Sequence, residues 1–182
     1  MRNRSMKVVV IFTIMTMMVC NMAHPVTPMV IKALNLPSYM FGIFFAAMAI
    51  GNFLCSPLWG KLSDKMGRRK FLIIGILGYG VSQLGFGYSE NPIVIVIYRF
   101  LGGAFIVSFL TVILAYIADI TDKEKRLKGM MYYGAASTVG SALGSLIGGV
   151  IGNNNYKIPF LMQFILAIVV SFLIFLFIEE TV

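Results

Sequence analysis

Six stretches of roughly 20 apolar residues, each nearly free of charge, leave this chain very few ways to fold. They run at about 8–31, 39–59, 71–88, 93–118, 129–151 and 158–178. A helix of about 20 residues crosses the hydrocarbon of a bilayer, and in lipid each backbone N–H and C=O needs a partner within its own segment. The expected fold class is therefore all-α integral membrane, a single domain over 1–182 with six transmembrane helices. Apolar residues make up 59% of the chain and charged residues 12%, far from a soluble globular balance.

The charges between the runs set an orientation. Arg2, Arg4 and Lys7 precede the first run, Lys61, Lys65, Arg68, Arg69 and Lys70 follow the second, and Lys123, Lys125, Arg126 and Lys128 follow the fourth. The other connections hold only Lys32 and Lys157, and Arg99 lies inside the fourth run. Cations gather on the cytoplasmic side, so both termini are expected there, in a multi-pass protein of the inner or plasma membrane. The opposite connections are short and carry Pro, Asn or Gly, as turns do. The net charge of +8 is spread over these short clusters, which argues against a nucleic-acid groove. The first run resembles a signal peptide at its start, but it stays apolar to Ile31 and five more follow, which favours a retained helix. Cys20 and Cys55 sit in apolar runs and read as buried thiols, with no metal or disulfide pattern. Small residues recur at packing intervals, at Gly42 and Ala46, Gly75 and Gly78, and Gly102 and Gly103.

The segment Gly60 to Lys70, GKLSDKMGRRK, reads as a basic turn between the second and third helices. Gly60 and Gly67 permit tight turning, and Asp64 either caps a helix start or accepts from Arg68 or Arg69. Its charges alone are those of a positive-inside loop. Its full spacing resembles the signature loop of the major facilitator superfamily of secondary transporters. That resemblance implies twelve helices in two six-helix halves around a central cavity, this sequence matching the N-terminal half, itself two inverted three-helix repeats.

Arg99 is costly in a membrane, about 2.5–3.5 kcal/mol by insertion scales near a helix centre, a cost that usually marks function. The alternative is an arginine that snorkels to the outer interface. Arg99 followed by Gly102 and Gly103 resembles the family's fourth-helix motif, whose arginine is associated with proton transfer or substrate binding; the polar residue often found before the second glycine is Gly102 here. His24, Pro25 and Pro28 lie toward the outer part of the first helix. The two prolines withdraw backbone donors, kink the helix and leave carbonyls free near a cavity. The string PVTP resembles the first-helix motif of drug and proton antiporters. His24, the one histidine, is either a proton site or an interfacial residue facing outer water.

In the fifth helix Gly140, Gly144 and Gly148 recur every fourth residue, joined by Gly149, with Ser137, Ser141 and Ser145 alongside. This small face resembles the antiporter motif that lines the interface between the two halves, with Ser145 where the motif has proline; generic helix packing is the other reading. Asp119, at the inner end of the fourth helix, is placed to pair with Arg68 or Arg69 and hold the inner side closed, as the family's gating network implies, or is an ordinary interfacial acid.

The expected function is secondary active transport of a small molecule by alternating access, with proton-coupled efflux of a drug-like compound implied by the resemblance. The expected partners are the bilayer, a substrate, protons, and a second six-helix half or a second copy of the chain. No carboxylate lies in the middle of a span, so either the other half supplies one or the substrate is neutral or anionic and answers to Arg99. A truncated, non-transporting membrane module and uptake of a neutral or anionic metabolite are the competing readings. An enzyme is not expected: no Gly-x-Ser-x-Gly elbow, His-Glu-x-x-His helix or phosphate-binding loop is present. No cofactor or metal is expected.

Overall fold

The computed structural model describes the backbone of residues 2–181 and the side chains of 6–181. The side chains of Arg2 and Arg4, and all of Val182, lie outside the described residues. The elements are α1 (Arg2–Asn21), α2 (Thr27–Ala33), α3 (Met40–Met66), α4 (Arg68–Tyr88), α5 (Pro92–Ile120), α6 (Arg126–Gly152) and α7 (Lys157–Phe177), with a 3-10 turn at Lys123–Lys125 before α6. Among the described residues five helices are long and apolar enough to cross a membrane: α3, α4, α5, α6 with its preceding turn, and α7. The first apolar run is divided between a shorter apolar helix, Met6–Asn21, and α2.

Pro25 causes that division. It has no N–H to offer and its ring crowds the carbonyl four residues back, so α1 ends at Asn21. Pro28 stands in the first turn of α2, where a missing N–H costs nothing. Between them the chain turns tightly, with the N–H of Thr27 donating to the carbonyl of His24 at 3.3 Å.

The expected turn at Gly60 to Lys70 is a correction. Gly60 lies well inside α3, which continues to Met66, and α4 begins at Arg68. Nothing from Lys61 to Met66 breaks a helix, so only Gly67 leaves helical geometry, at φ 98° and ψ 147°. That backbone is open to glycine and strained for other residues.

α5 and α4 form the centre of the bundle. α5 packs on both α3 and α4, α4 also on α7, and α1 on α6 and α7. Leu72, Ile76, Phe109, Ile113, Val170 and Ile174 fill the larger core between these helices. A second cluster joins α2, α3, α4, α5 and α7 through Val30, Phe44, Phe86, Ile95 and Phe160, with the Phe86 ring edge-on to Phe44 at 5.3 Å. The outer faces of α3 and α6 leave side chains such as Phe53 and Leu127 exposed, which lipid tolerates and water would not.

The small-residue row of α6 packs within this bundle, which corrects the expectation that it faces a second half. Gly140, Gly144 and Gly148 are buried against α1, and a Cβ on any of them would run into the main-chain carbonyls of Ile14, Met18 and Met22 in turn. Spaced by four, they form one face, and α1 lies along it. Asn21 ties the pair by donating to the Ser141 hydroxyl at 3.0 Å. Gly149, a step round the helix, is half-buried beside Pro25 with room to spare.

Candidate functional site

The break in the first span exposes carbonyls that a continuous helix would have satisfied, and side chains from other helices meet them. Gln163 of α7 donates through Nε2 to the carbonyls of Val19 at 2.6 Å and Cys20 at 3.3 Å. The Tyr79 hydroxyl of α4 donates to the Cys20 carbonyl at 2.7 Å. Thr27 donates its own hydroxyl to the carbonyl of Ala23 at 3.0 Å. The carbonyls expected to lie free for a ligand are therefore satisfied from within, since an unmet carbonyl in this apolar setting costs several kcal/mol, of the order of a lost hydrogen bond.

Arg99 belongs to the same core. It is 2% exposed, and its Nη2 donates at 2.8 Å to the Thr27 hydroxyl. Its guanidinium carbon sits 3.6 Å from the centre of the Phe86 ring, a close cation–π arrangement. Among the described residues its Nε has no hydrogen-bond partner. The side chain thus turns into the bundle and does not snorkel. Gly102 leaves space beside Gln83, whose amide nitrogen would lie 3.7 Å from a Cβ there. His24 is half-buried at the break, stacked on Phe45 with ring centres 5.7 Å apart. Pro25 and Pro28 are exposed, so they shape the break without lining the Arg99 core.

The basic end of the bundle holds a second polar centre. Arg68 is 8% exposed and forms ion pairs with Asp64, one turn back on α3, and with Asp119 of α5, its Nε donating to Asp119 at 3.0 Å. Its Nη1 also donates to the Ser63 hydroxyl at 2.9 Å. Arg69 points elsewhere, donating to the Phe175 carbonyl at 3.4 Å and lying over the Phe175 ring. Of the two arginines expected to meet Asp119, only Arg68 does so.

Glu180 completes this centre. Its carboxylate accepts the backbone N–H of Arg68 at 2.5 Å and of Arg69 at 3.2 Å, capping the positive end of α4. Any side chain at Gly67 would collide with that carboxylate. Thr181 donates its hydroxyl to Asp119 at 3.3 Å. Sequence reasoning missed Glu180, Tyr79, Gln83 and Gln163. The two glutamines are the only ones in the chain and stand in apolar runs, a signal that was available. An acid just after the sixth run, on the side of a bare helix start, was another.

The bundle of membrane-length helices that carries these two polar centres has a known fold. The Major Facilitator Superfamily model matches residues 9–182, and the chain belongs to that superfamily, as a multi-pass membrane protein. It is 31% identical over 147 residues to Multidrug resistance protein 2 of Bacillus subtilis, covering 81% of this chain and 37% of that protein. Multidrug resistance protein 1 of the same organism is 30% identical over 156 residues, covering 86% and 40%. Quinolone resistance protein NorA of Staphylococcus aureus is 27% identical over 152 residues, covering 80% and 39%. The chain thus spans well under half the length of the curated relatives it matches. In fold it is similar to the human organic anion transporter MFSD10 (TETRAN), with a TM-score of 0.83 at 21% identity over all of this chain and 48% of that one. The D-xylose-proton symporter gives a TM-score of 0.72 at 18% identity over 99% and 48%.

Proposed function

We propose that the chain acts as one six-helix half of a secondary active transporter that exports drug-like compounds in exchange for protons. The observation that carries this reading is Arg99, a charged side chain buried in the membrane-spanning core, where it meets a hydroxyl and an aromatic ring and, among the described residues, no carboxylate. A charge kept there at such cost is a functional group by default. The likeness to two multidrug resistance proteins and a quinolone resistance protein supports export and drug-like cargo.

In this reading the basic end, with both termini, faces the cytosol of a plasma membrane, as the lysine and arginine bias favours. The substrate and proton pathway runs by Arg99, His24 and the break shaped by Pro25 and Pro28. The segment holding Gly60, Asp64, Gly67, Arg68 and Arg69, tied to Asp119, keeps α3, α4 and α5 moving as one body while this half rocks against a second half or a second copy. Because α1 covers the Gly140, Gly144 and Gly148 row, the exposed faces of α3 and α6 are the better candidates to meet that partner.

The test is transport of a fluorescent cationic dye into inverted membrane vesicles containing the chain with a second half supplied. The reading expects uptake that stops when the pH gradient is collapsed and that Arg99→Met abolishes. Dye movement unchanged by either manipulation would refute it.

A further inference from the structure

Where α1, α5 and α6 meet at the basic end, the bundle leaves a half-open cavity of about 430 Å³. Met6 of α1, Ile120 and Thr121 at the end of α5, and Lys125, Lys128, Gly129 and Tyr132 around the start of α6 line it. It is separate from the Arg68 centre, whose members do not line it. Its chemistry divides in two. Lys125 and Lys128 are exposed at its rim, and the Lys128 ammonium lies 5.9 Å from the centre of the Tyr132 ring. Met6 and Ile120 make its wall apolar, and the outward surface of α6 just beyond continues as exposed apolar side chains, Leu127 at 72% and Met131 at 64%.

A cavity with cations at the rim and an apolar face running on toward the hydrocarbon fits a molecule with an anionic head and apolar tails. We propose that it binds the headgroup of an anionic phospholipid, with the phosphate between Lys125 and Lys128 and the acyl chains along α6. Basic pockets between spanning helices recognise such headgroups through local charge, and aromatic rings sit comfortably at headgroup depth. Free phosphate lacks the part that would use the apolar wall. Asp122 also lines the cavity, and it already has an interaction of its own, its carbonyl in addition accepting the Lys125 N–H at 2.9 Å. Glu124 is exposed on the same turn, and Lys123 beside it carries the compensating charge. The 3-10 turn fixes Lys125 at the cavity mouth, so the site is built from backbone that is already ordered.

The test uses the purified full chain in a mild uncharged detergent, with bound lipid counted by native mass spectrometry during titration. Dioleoyl phosphatidylglycerol, dioleoyl phosphatidylcholine and inorganic phosphate form three separate arms. The proposal expects one saturable phosphatidylglycerol, bound about thirty-fold more tightly than phosphatidylcholine, the fold-change that roughly 1 kcal/mol for each of the two lysines near an anionic headgroup converts to. It expects Lys125→Gln with Lys128→Gln to erase that preference, Lys125→Arg with Lys128→Arg to keep it, and Lys61→Gln with Lys65→Gln, the same charge removed elsewhere, to leave it unchanged. Equal binding of the two lipids by the intact chain would overturn the proposal, as would a preference that survives the glutamine pair. Displacement of the lipid by inorganic phosphate would overturn it too, making this a site for a free anion. The lipid selectivity of the intact chain decides the matter even if a variant does not fold.

Discussion

Among the described residues two arginines are buried in this bundle, and their surroundings are opposites. Arg68, 8% exposed, meets the carboxylates of Asp64 and Asp119 and a serine hydroxyl, while its own backbone N–H is capped by Glu180. Arg99, 2% exposed, meets one threonine hydroxyl and the face of one phenylalanine. A cation on α4 that pairs with carboxylates on α3 and α5 is a fastener of three helices, and removing it leaves those acids without their cation. A cation held without a carboxylate among the described residues is kept despite its cost, and in the proposed reading what it lacks inside the bundle is what a passing substrate or proton carrier brings. On the proposed function, stability and transport are thus separated between the two ends of the bundle.

That separation can be broken most directly at Arg99. Arg99→Met is expected to lower transport by about a hundred-fold while the thermal unfolding midpoint stays level or rises, because a charge costing about 2.5–3.5 kcal/mol in the membrane has gone. A variant that unfolds readily would make Arg99 a structural residue and end the contrast. Arg68→Gln is expected to do the reverse and cost about 2 kcal/mol of stability, less than the 3–5 kcal/mol of fully buried pairs. The discount reflects the exposure of its partners, 62% for the Asp64 side chain and 32% for Asp119. Trp59, the one tryptophan, donates to the Ala104 carbonyl at 2.6 Å across α3 and α5, so its fluorescence reports the unfolding of this region. Glu180→Gln keeps the shape of the α4 cap and removes its charge, for an expected loss of about 0.5–1 kcal/mol that salt diminishes. The smallest effect is expected for Thr27→Val, about 0.6 kcal/mol for one interhelical hydrogen bond in a membrane bundle, with a drop in transport greater than that loss of stability explains.

The fold was far more legible than the sites. Apolar length alone marks where helices lie, and Pro25 announces the break in the first span because ring geometry acts locally. Rotation about a helix axis is not written in length. Hydropathy therefore left Arg99 free to point outward or inward, and only the Thr27 hydroxyl and Phe86 ring, far apart in sequence, decide it. The same limit applies to the α6 glycines, whose spacing reveals a smooth face without saying that α1 covers it. Gly60 misled for a different reason: glycine permits a turn without requiring one, and the helix-compatible residues after it carried α3 on to Met66. Glu180 escaped notice because its partner, the bare start of α4, is a feature of backbone and not of side chains.

Which face of the membrane holds the basic end governs every functional statement above, from the direction of export to the leaflet that supplies a lipid. In a chain with Cys55→Ser, Lys65→Cys and Glu90→Cys are made separately and treated in intact cells with a membrane-impermeant thiol reagent. Cys20, the other cysteine, is buried and serves as the silent background. The account predicts labelling at 90 in intact cells and at 65 only after the membrane is opened. Labelling at 65 in intact cells, with 90 protected until lysis, would contradict it.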